Sequence, residues 1–546
     1  MGIGRKRREG KVAEPPYSGD KAMESEQIVK LTRYIEENLR ASPTAGISFV
    51  DARQQRERLS SRQNHVVFGR RGAGKTSLLK SALGGVEHVD VYLNLEDYKD
   101  ITFPNIVIHI LAELLSVLRE RIERKHPWYK PSLRAWSVKR RVEKSYKTLW
   151  KYRHEPDTET QEIREKEAYR EQMTASVKSV IGEGGAATAR EKAREITRQV
   201  PKDKLEYLLL ELSTYKKLIR SISDLFKGQP IFLVLDDFYF VPKATQPDLI
   251  DYFHRLTKGT GLFIKLATIQ HRSKLYRRAH DLYVGVERGH DIFEVDMDYT
   301  LDNFDELQKF MRKLLENARE KSGIDENVNE LFAGDGFSQL CLASGGVPRD
   351  FLSLFITLAK NAANNSQDIG KVQVTNAAIA NIGSKLESMH KDSGDEDIIL
   401  GGYLSRIKEY VYNEKRTNVF LVAKDELDRD PQFRQAIREL VDLRLIHLVD
   451  HNTSRAPSDG RRYEAYLLDI GLYDNPRPRS FTQVEPSQRD DKARKDTLRA
   501  SPVFELTKLR EPLPTEHEQE EEYSSPKAKA PHRKKDVQRQ LDLSFE

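Results

Sequence analysis

Along the first half of the chain, short apolar runs alternate with stretches of helical spacing. A helical pattern over 24–39, carried by Ile28, Leu31, Tyr34, Ile35 and Leu39, comes first. The apolar run at 65–68 predicts a strand, 77–83 an apolar helix, 89–95 a second strand and 103–122 a long buried helix. This βαβα rhythm predicts a parallel sheet covered by helices. Residues 127–200 break it, being long, charged and mostly helix-forming, with an interruption at Gly182-Glu183-Gly184-Gly185. They are expected to form an insertion in the α/β core. Strands resume at 231–235, 262–268 and 291–295, and helices fill most of 302–384. A separate small unit spans 400–473, after which apolar periodicity is lost.

The segment between the first strand and the first apolar helix reads Gly69-Arg70-Arg71-Gly72-Ala73-Gly74-Lys75-Thr76, followed by Ser77. This is the full G-x-x-x-x-G-K-T pattern. Its glycines let backbone N–H groups turn inward around phosphates where a side chain would block the approach. Lys75 would reach the β- and γ-phosphates and the Thr76 hydroxyl would hold Mg²⁺. The helix start adds a favourable field for an anion. The strand–loop–helix context predicts binding of ATP with Mg²⁺.

The run Ile231-Phe232-Leu233-Val234-Leu235 ends in Asp236-Asp237. A buried strand that delivers an acid at its C-terminal end beside such a loop is a usual way to manage Mg²⁺ and the attacking water. Asp236 is expected to bind Mg²⁺ and Asp237 to orient or deprotonate the water. Thr268, closing the strand at 262–268, is either a γ-phosphate sensor or ordinary strand-end polarity. Gly345-Gly346-Val347-Pro348-Arg349-Asp350 opens a further helix, from which Arg349 could reach back over the phosphates.

Composition bounds these readings. A chain of 546 residues predicts two or three domains. With 32% charged and only 38% apolar residues, part of the length is expected to be disordered or solvated helix. The net charge of +6 is small, so local clusters matter more than the total. A single cysteine, Cys341, excludes an internal disulfide or a cysteine-rich metal site. No stretch has the length and apolarity of a membrane span, the N-terminus lacks a signal-peptide core, and Met1-Gly2 lacks the context for myristoylation. A soluble, cytoplasmic, nucleoid-associated protein without a membrane partner is expected.

Taken together, Gly69–Thr76, Asp236-Asp237, Thr268 and Arg349 resemble the AAA+ superfamily, especially the origin-recognition/Cdc6-like initiators, over about 25–475 apart from the insertion. The resemblance implies an α/β P-loop NTPase core over 23–300, a helical lid over 301–399 and a winged-helix domain over 400–473. It makes Gly69–Thr76 the Walker A motif, Asp236-Asp237 Walker B, Thr268 sensor 1 and Arg349 sensor 2. It also implies a homo-oligomer, or a partner ATPase, in which a neighbour supplies an arginine finger; Arg272, Arg277 and Arg278 are the candidates. The second Walker B acid is usually Glu, so Asp237 implies slow hydrolysis. The Leu-Asp-Asp and Gly-Gly-x-Pro forms also resemble STAND signalling ATPases, although no internal repeat accompanies them.

Over 404–473, helices at 404–411, 424–427 and 431–443, then a hairpin at 446–449 and 463–468, have a winged-helix pattern. Phe433, Ile437, Leu440 and Val441 share one face of the third helix. Arg434, Gln435 and Arg438 lie opposite, where a recognition helix would present them to DNA, and Arg455, Arg461 and Arg462 would contact phosphates from the wing. A winged helix used only for protein contacts is the alternative. In the insertion, nine basic residues between 130 and 153 stand against one acid, Glu143, and Trp128, Trp136 and Trp150 lie in the same stretch. That pattern suits a nucleic-acid backbone with stacked bases, or a solvated helical hairpin whose tryptophans pack against the core. The hairpin is the expectation.

Residues 1–22 form an expected flexible basic arm and 474–546 an expected disordered tail. That tail ends in Gln540-Leu541-Asp542-Leu543-Ser544-Phe545. This end is similar to the bacterial sliding-clamp-binding peptide, with Gln540, Leu541, Leu543 and Phe545 at the matching positions. The combined expectation is an ATP-dependent, DNA-binding ATPase acting as a nucleotide switch and recruited by a sliding clamp. The alternatives are a STAND-like defence ATPase and a transposition helper ATPase.

Overall fold

A computed structural model describes residues 25–39, 50–51, 53–84, 88–127, 132–154, 202–279, 282–365, 367–393, 397–489 and 495–510. The arm at 1–22, most of the insertion including Trp128 and the diglycine interruption, and the clamp-like peptide at 540–545 lie outside them. The chain divides into two compact units, 1–505 and 506–546. Of the second, only the 3₁₀ turn Leu506–Arg510 is described.

The central sheet has five parallel strands: β1 (His65–Phe68), β2 (Val89–Asn94), β3 (Ile231–Asp236), β4 (Leu262–Thr268) and, after the hairpin below, β7 (Phe293–Asp296). Their order across the sheet is β2-β3-β4-β1-β7. Every residue of β1 and β3 is buried, which is why both read as continuous apolar runs. With β4 between β3 and β1, the C-terminal ends of these three parallel strands come to one edge, the crevice where ligands bind in open α/β sheets.

One face of the sheet is covered by the helices Asn105–Lys125, Leu133–His154, Lys202–Leu225 and Gln246–Thr257. The other is covered by Lys75–Leu83 and Gln55–Ser60. The described part of the insertion thus extends a helical layer. Val138, Val142 and Leu149 are buried in the same core as Leu111 and Leu118, and Arg119–Glu143 and Lys139–Glu123, both 2.9 Å, tie the helix edges together. A short antiparallel hairpin, β5 (Tyr276–Ala279) and β6 (Leu282–Gly285), follows β4 and was not legible in the apolar pattern.

The helices Phe304–Ser322, Gly336–Ala343, Pro348–Asn365 and Lys371–Ser393 fill the region expected to be a lid. The first helix, Ser25–Asn38, packs with these, where the Gln27 amide donates to Glu326 at 2.9 Å.

Beyond them come the helix Asp397–Lys408, β8 (Val419–Ala423), the helices Lys424–Arg429 and Pro431–Asp442, β9 (Ile446–Thr453) and β10 (Tyr463–Leu468). The three strands form an antiparallel sheet with β10 in the middle. The helix Pro431–Asp442 starts where Asp430 accepts the N–H groups of Gln432 and Phe433 at 2.9 and 3.0 Å, with proline at its first position. Phe433, Ile437 and Leu440 are buried as their spacing predicts.

The expectation of a structureless tail from 474 fails over its first thirty or so positions. Thr482 bridges Thr417, Val503 bridges Leu421, and Val484, Leu498 and Phe504 are buried. These few apolar residues have no period of their own. They add to a core already built by β8 and its neighbours, so no periodic signal was required.

Candidate nucleotide site

The loop after β1 is held by its own backbone geometry. Gly72 and Gly74 adopt φ +89° and +96°, where side chains are strained. A Cβ on Gly72 would lie 2.9 Å from Cβ of Arg349 and 3.0 Å from Val347, so glycine there lets the start of the helix Pro348–Asn365 approach the loop. The Arg349 N–H points to the Gly72 carbonyl at 3.4 Å. The loop and the helix Pro348–Asn365, separated by well over two hundred residues, are thus brought into direct contact.

Lys75 opens the helix Lys75–Leu83 and is buried. Its ammonium donates to the carbonyls of Gly69 at 2.9 Å and Arg70 at 3.3 Å. Burial lowers its pKa, opposed by the charges of Asp237 and Asp236. The Thr76 hydroxyl donates to Asp236 Oδ2 at 2.7 Å, so both expected metal ligands meet at one point. Tyr92, on β2, donates to the same carboxylate oxygen. Asp236 Oδ1 accepts the Asp237 N–H at 2.9 Å.

Asp237 has φ 53°, a left-handed conformation uncommon for a residue other than glycine. Burial, and then the neighbouring charge of Asp236, push its carboxyl up to about 6. These groups line a cleft of about 460 Å³ that also takes in Arg71, Ser77, Asn94, Glu96, Tyr239 and Arg349.

The sequence did not single out Tyr92, Asn94 or Glu96. Their signal is tertiary: β2 pairs with β3, and the register sets Asn94 against Asp236. The alternation of buried and half-buried residues along β2 is the only local trace, since it sends Tyr92 and Asn94 to one face.

Other expected site residues are placed differently. Arg70 is buried away from the cleft lining, with Nε 3.4 Å from Asp298 and Nη2 donating to the Tyr299 carbonyl at 3.1 Å. Thr268 is buried at the end of β4, where its carbonyl accepts the Gly69 N–H at 3.3 Å and its hydroxyl bonds to Ser273. It does not line the cleft. Arg277 pairs with Asp248 at 2.6 Å, Arg278 lies over the Tyr283 ring at 5.6 Å, and the Arg272 carbonyl accepts from Gln246 at 3.4 Å.

On the helix Pro431–Asp442, Arg438 is turned inward. It meets both oxygens of Glu464 at 2.7 Å and the Tyr466 hydroxyl at 3.0 Å, and its side chain is only 20% exposed. Arg461 is held by Asp425 at 2.7 Å and Glu426 at 3.0 Å, Arg434 pairs with Asp428 at 3.2 Å, and Gln435 donates to Glu439. Arg455 and Arg462 are exposed near the β9–β10 turn.

A second polar network is buried between the helices Pro348–Asn365 and Lys371–Ser393 and the region of β9 and β10. Asp350, adjacent to Arg349, pairs with Arg444 at 2.6 Å. Lys385 and His447 meet Asp469 at 2.6 and 2.7 Å. Burial alone would raise Asp469, but Lys385 and His447 outweigh it and hold that carboxyl at about 2.

The sheet order, the phosphate-type loop and the paired Thr76–Asp236 contact define an α/β P-loop fold of the AAA+-like kind. No family model matches the chain, and no curated protein matches it in sequence. Among solved structures it is similar to a Walker-type ATPase of Pyrococcus abyssi, at 11% identity over 83% of this chain and 93% of that one, with a TM-score of 0.33. It is also similar to the Orc1 protein of Aeropyrum pernix in complex with DNA, at 12% identity over 82% and 89%, with a TM-score of 0.28. Likenesses this loose add no weight, and the assignment stands on strand order and site geometry. Among the described residues, no helix is long and apolar enough to cross a membrane.

Proposed function

We propose that this chain is an ATPase that binds DNA and uses nucleotide as a switch, with its residues 400–473 forming a winged helix. The observation that carries the nucleotide half is the 2.7 Å contact between Thr76 and Asp236, beside buried Lys75 and under Arg349. The donors suit ATP and Mg²⁺: an ammonium and a guanidinium for phosphates, and hydroxyl and carboxylate oxygens for a hard divalent cation. ATP with Mg²⁺ would supply the phosphoanhydride bond and neutralise part of its charge.

Lys75 and Arg349 would bind the phosphates, Thr76 and Asp236 would hold the cation, and Asp237 would orient the water and take up its proton. A carboxyl at about 6 is ionised at neutral pH and is a stronger base than an ordinary aspartate. Thr268 in its sensor role, a trans-acting arginine among 272, 277 and 278, and a sliding clamp bound through 540–545 belong to the same proposal.

The switch element of the reading rests on Asp350. A shift of Arg349 with nucleotide would act through its neighbour on Arg444, and so on the proposed winged helix. The same contact would serve a STAND-like switch.

The test is steady-state ATP hydrolysis, with and without DNA, in the full chain and in Lys75→Ala. Loss of at least a hundredfold in the variant is expected, on the order of removing a principal electrostatic group. The parent rate should fall as the pH drops into the acid range, where Asp237 protonates and can no longer accept the water's proton. Hydrolysis unaffected by Lys75→Ala would reject the site. A hydrolysis rate unchanged by DNA, together with an affinity for DNA unchanged by ATP, would reject the switch.

A further inference from the structure

The carboxylate at the end of β3 has one more hydrogen-bond donor than its burial requires. Asp236 is 2% exposed. Its Oδ1 accepts the Asp237 N–H at 2.9 Å and its Oδ2 accepts the Thr76 hydroxyl at 2.7 Å, so each oxygen already has a partner. The Tyr92 hydroxyl then donates to Oδ2 as well. A carboxylate oxygen offers two lone pairs, and on Oδ2 both are taken.

Tyr92 reaches this oxygen from another strand. It lies on β2, at the edge of the sheet, whose alternation sends Tyr92 and Asn94 to one face. Its ring is half-buried, with the Lys80 ammonium of the helix Lys75–Leu83 5.6 Å from the ring centre. The residue also lines the cleft. A phenol that borders an open cleft can turn to water, so packing alone does not oblige it to hold a carboxylate.

The oxygen it holds is the one a cation would need. Thr76 Oγ1 and Asp236 Oδ2 are 2.7 Å apart, close enough for one Mg²⁺ with ligands at about 2.1 Å to touch both. Of the two hydroxyls on Oδ2, that of Thr76 belongs to the loop expected to hold the phosphates, whereas that of Tyr92 comes from outside it. A cation that draws on Oδ2 has to displace the phenol.

We infer that Tyr92 gates the cation site, its hydroxyl holding Asp236 until a divalent cation arriving with nucleotide displaces it. The inference rests on the ATP reading and adds a regulation of that same site. The phenol is neutral and the cation doubly charged, so the cation wins once phosphate oxygens complete its ligands. It wins by less than it otherwise would, because a hydrogen bond to a charged group is given up.

The test uses the full chain, with Mn²⁺ as the cation and adenylyl imidodiphosphate as a nucleotide that is not hydrolysed. Free Mn²⁺ is read by electron paramagnetic resonance. Tyr92→Phe keeps the ring and removes only the hydroxyl. This variant should bind Mn²⁺ in the nucleotide complex on the order of tenfold more tightly than the parent. Its nucleotide affinity in excess chelator should match the parent's, which shows that it is folded. In an Asp236→Asn background the same Tyr92→Phe change should alter Mn²⁺ affinity by less than about twofold, because the charged group the two contend for is gone. Half-maximal ATP hydrolysis should need on the order of tenfold less Mg²⁺ in Tyr92→Phe. Unchanged Mn²⁺ affinity in Tyr92→Phe overturns the gate and leaves the hydroxyl a structural contact. Weaker Mn²⁺ binding overturns it as well and makes Tyr92 a support of the cation site. Both of those results leave the ATP reading standing, whereas a parent that binds no nucleotide rejects that reading and the gate with it.

Discussion

Two helices of this molecule look alike in sequence and differ in what they offer. Pro431–Asp442 and Leu133–His154 each carry arginines opposite an apolar stripe, and the first is the recognition helix of the proposed winged helix. In the folded chain its charges are largely answered from within: Arg438 by Glu464, Arg434 by Asp428, and the nearby Arg461 by Asp425 and Glu426. On Leu133–His154 Arg140, Arg141 and Lys144 are exposed and, among the described residues, no carboxylate pairs with them, beside the exposed Trp136. A cation becomes a binding group only if the fold leaves it unneutralised.

The largest effect should come from Arg438→Ala. This substitution strands the nearly buried Glu464, and breaking such a pair costs about 3–5 kcal/mol. Chemical denaturation should therefore show a marked loss of stability in the unit that contains it. If stability holds and only duplex binding falls, Arg438 is a reading residue after all and the contrast between the helices collapses.

A smaller stability effect is expected from Arg140→Ala, Arg141→Ala and Lys144→Ala together, within about 0.5 kcal/mol of the parent for each exposed position. Unfolding that shifts far beyond this would mean these cations hold the helix in place. The smallest change belongs to Arg434→Ala. Its pair with Asp428 is solvent-exposed on both sides, so stability should move by less than about 0.5 kcal/mol. Duplex titration of that variant sharpens the comparison: a clear loss of affinity would identify Arg434 as the cation through which the winged helix touches DNA.

The nucleotide site was more legible than either helix, for a physical reason. Gly69–Thr76 is a local motif, since the turn, the anion cradle and the helix start are built from consecutive residues. Asp236 was readable because a fully buried strand must be a run of apolar residues, and an acid at its end stands out. Thr268 and Arg70 carried the same kind of local signal, yet the fold turns one toward Ser273 and the other toward Asp298. Tyr92 and Asn94 had no such signal because their role comes from strand pairing, which no window of sequence contains.

The sequence by itself determined the strand–loop–helix unit, the alternation that builds the parallel sheet, and the apolar stripes of the later helices. Each of these depends on the chemistry of neighbours a few positions apart. Only the tertiary structure decided that Thr76 meets Asp236, that Arg349 closes over Gly72 and that Asp350 joins Arg444. It also decided which arginines are neutralised and which tryptophans face water. Charge pairing and burial are set by groups distant in the chain, whose meeting is fixed when strands choose their neighbours and helices their faces.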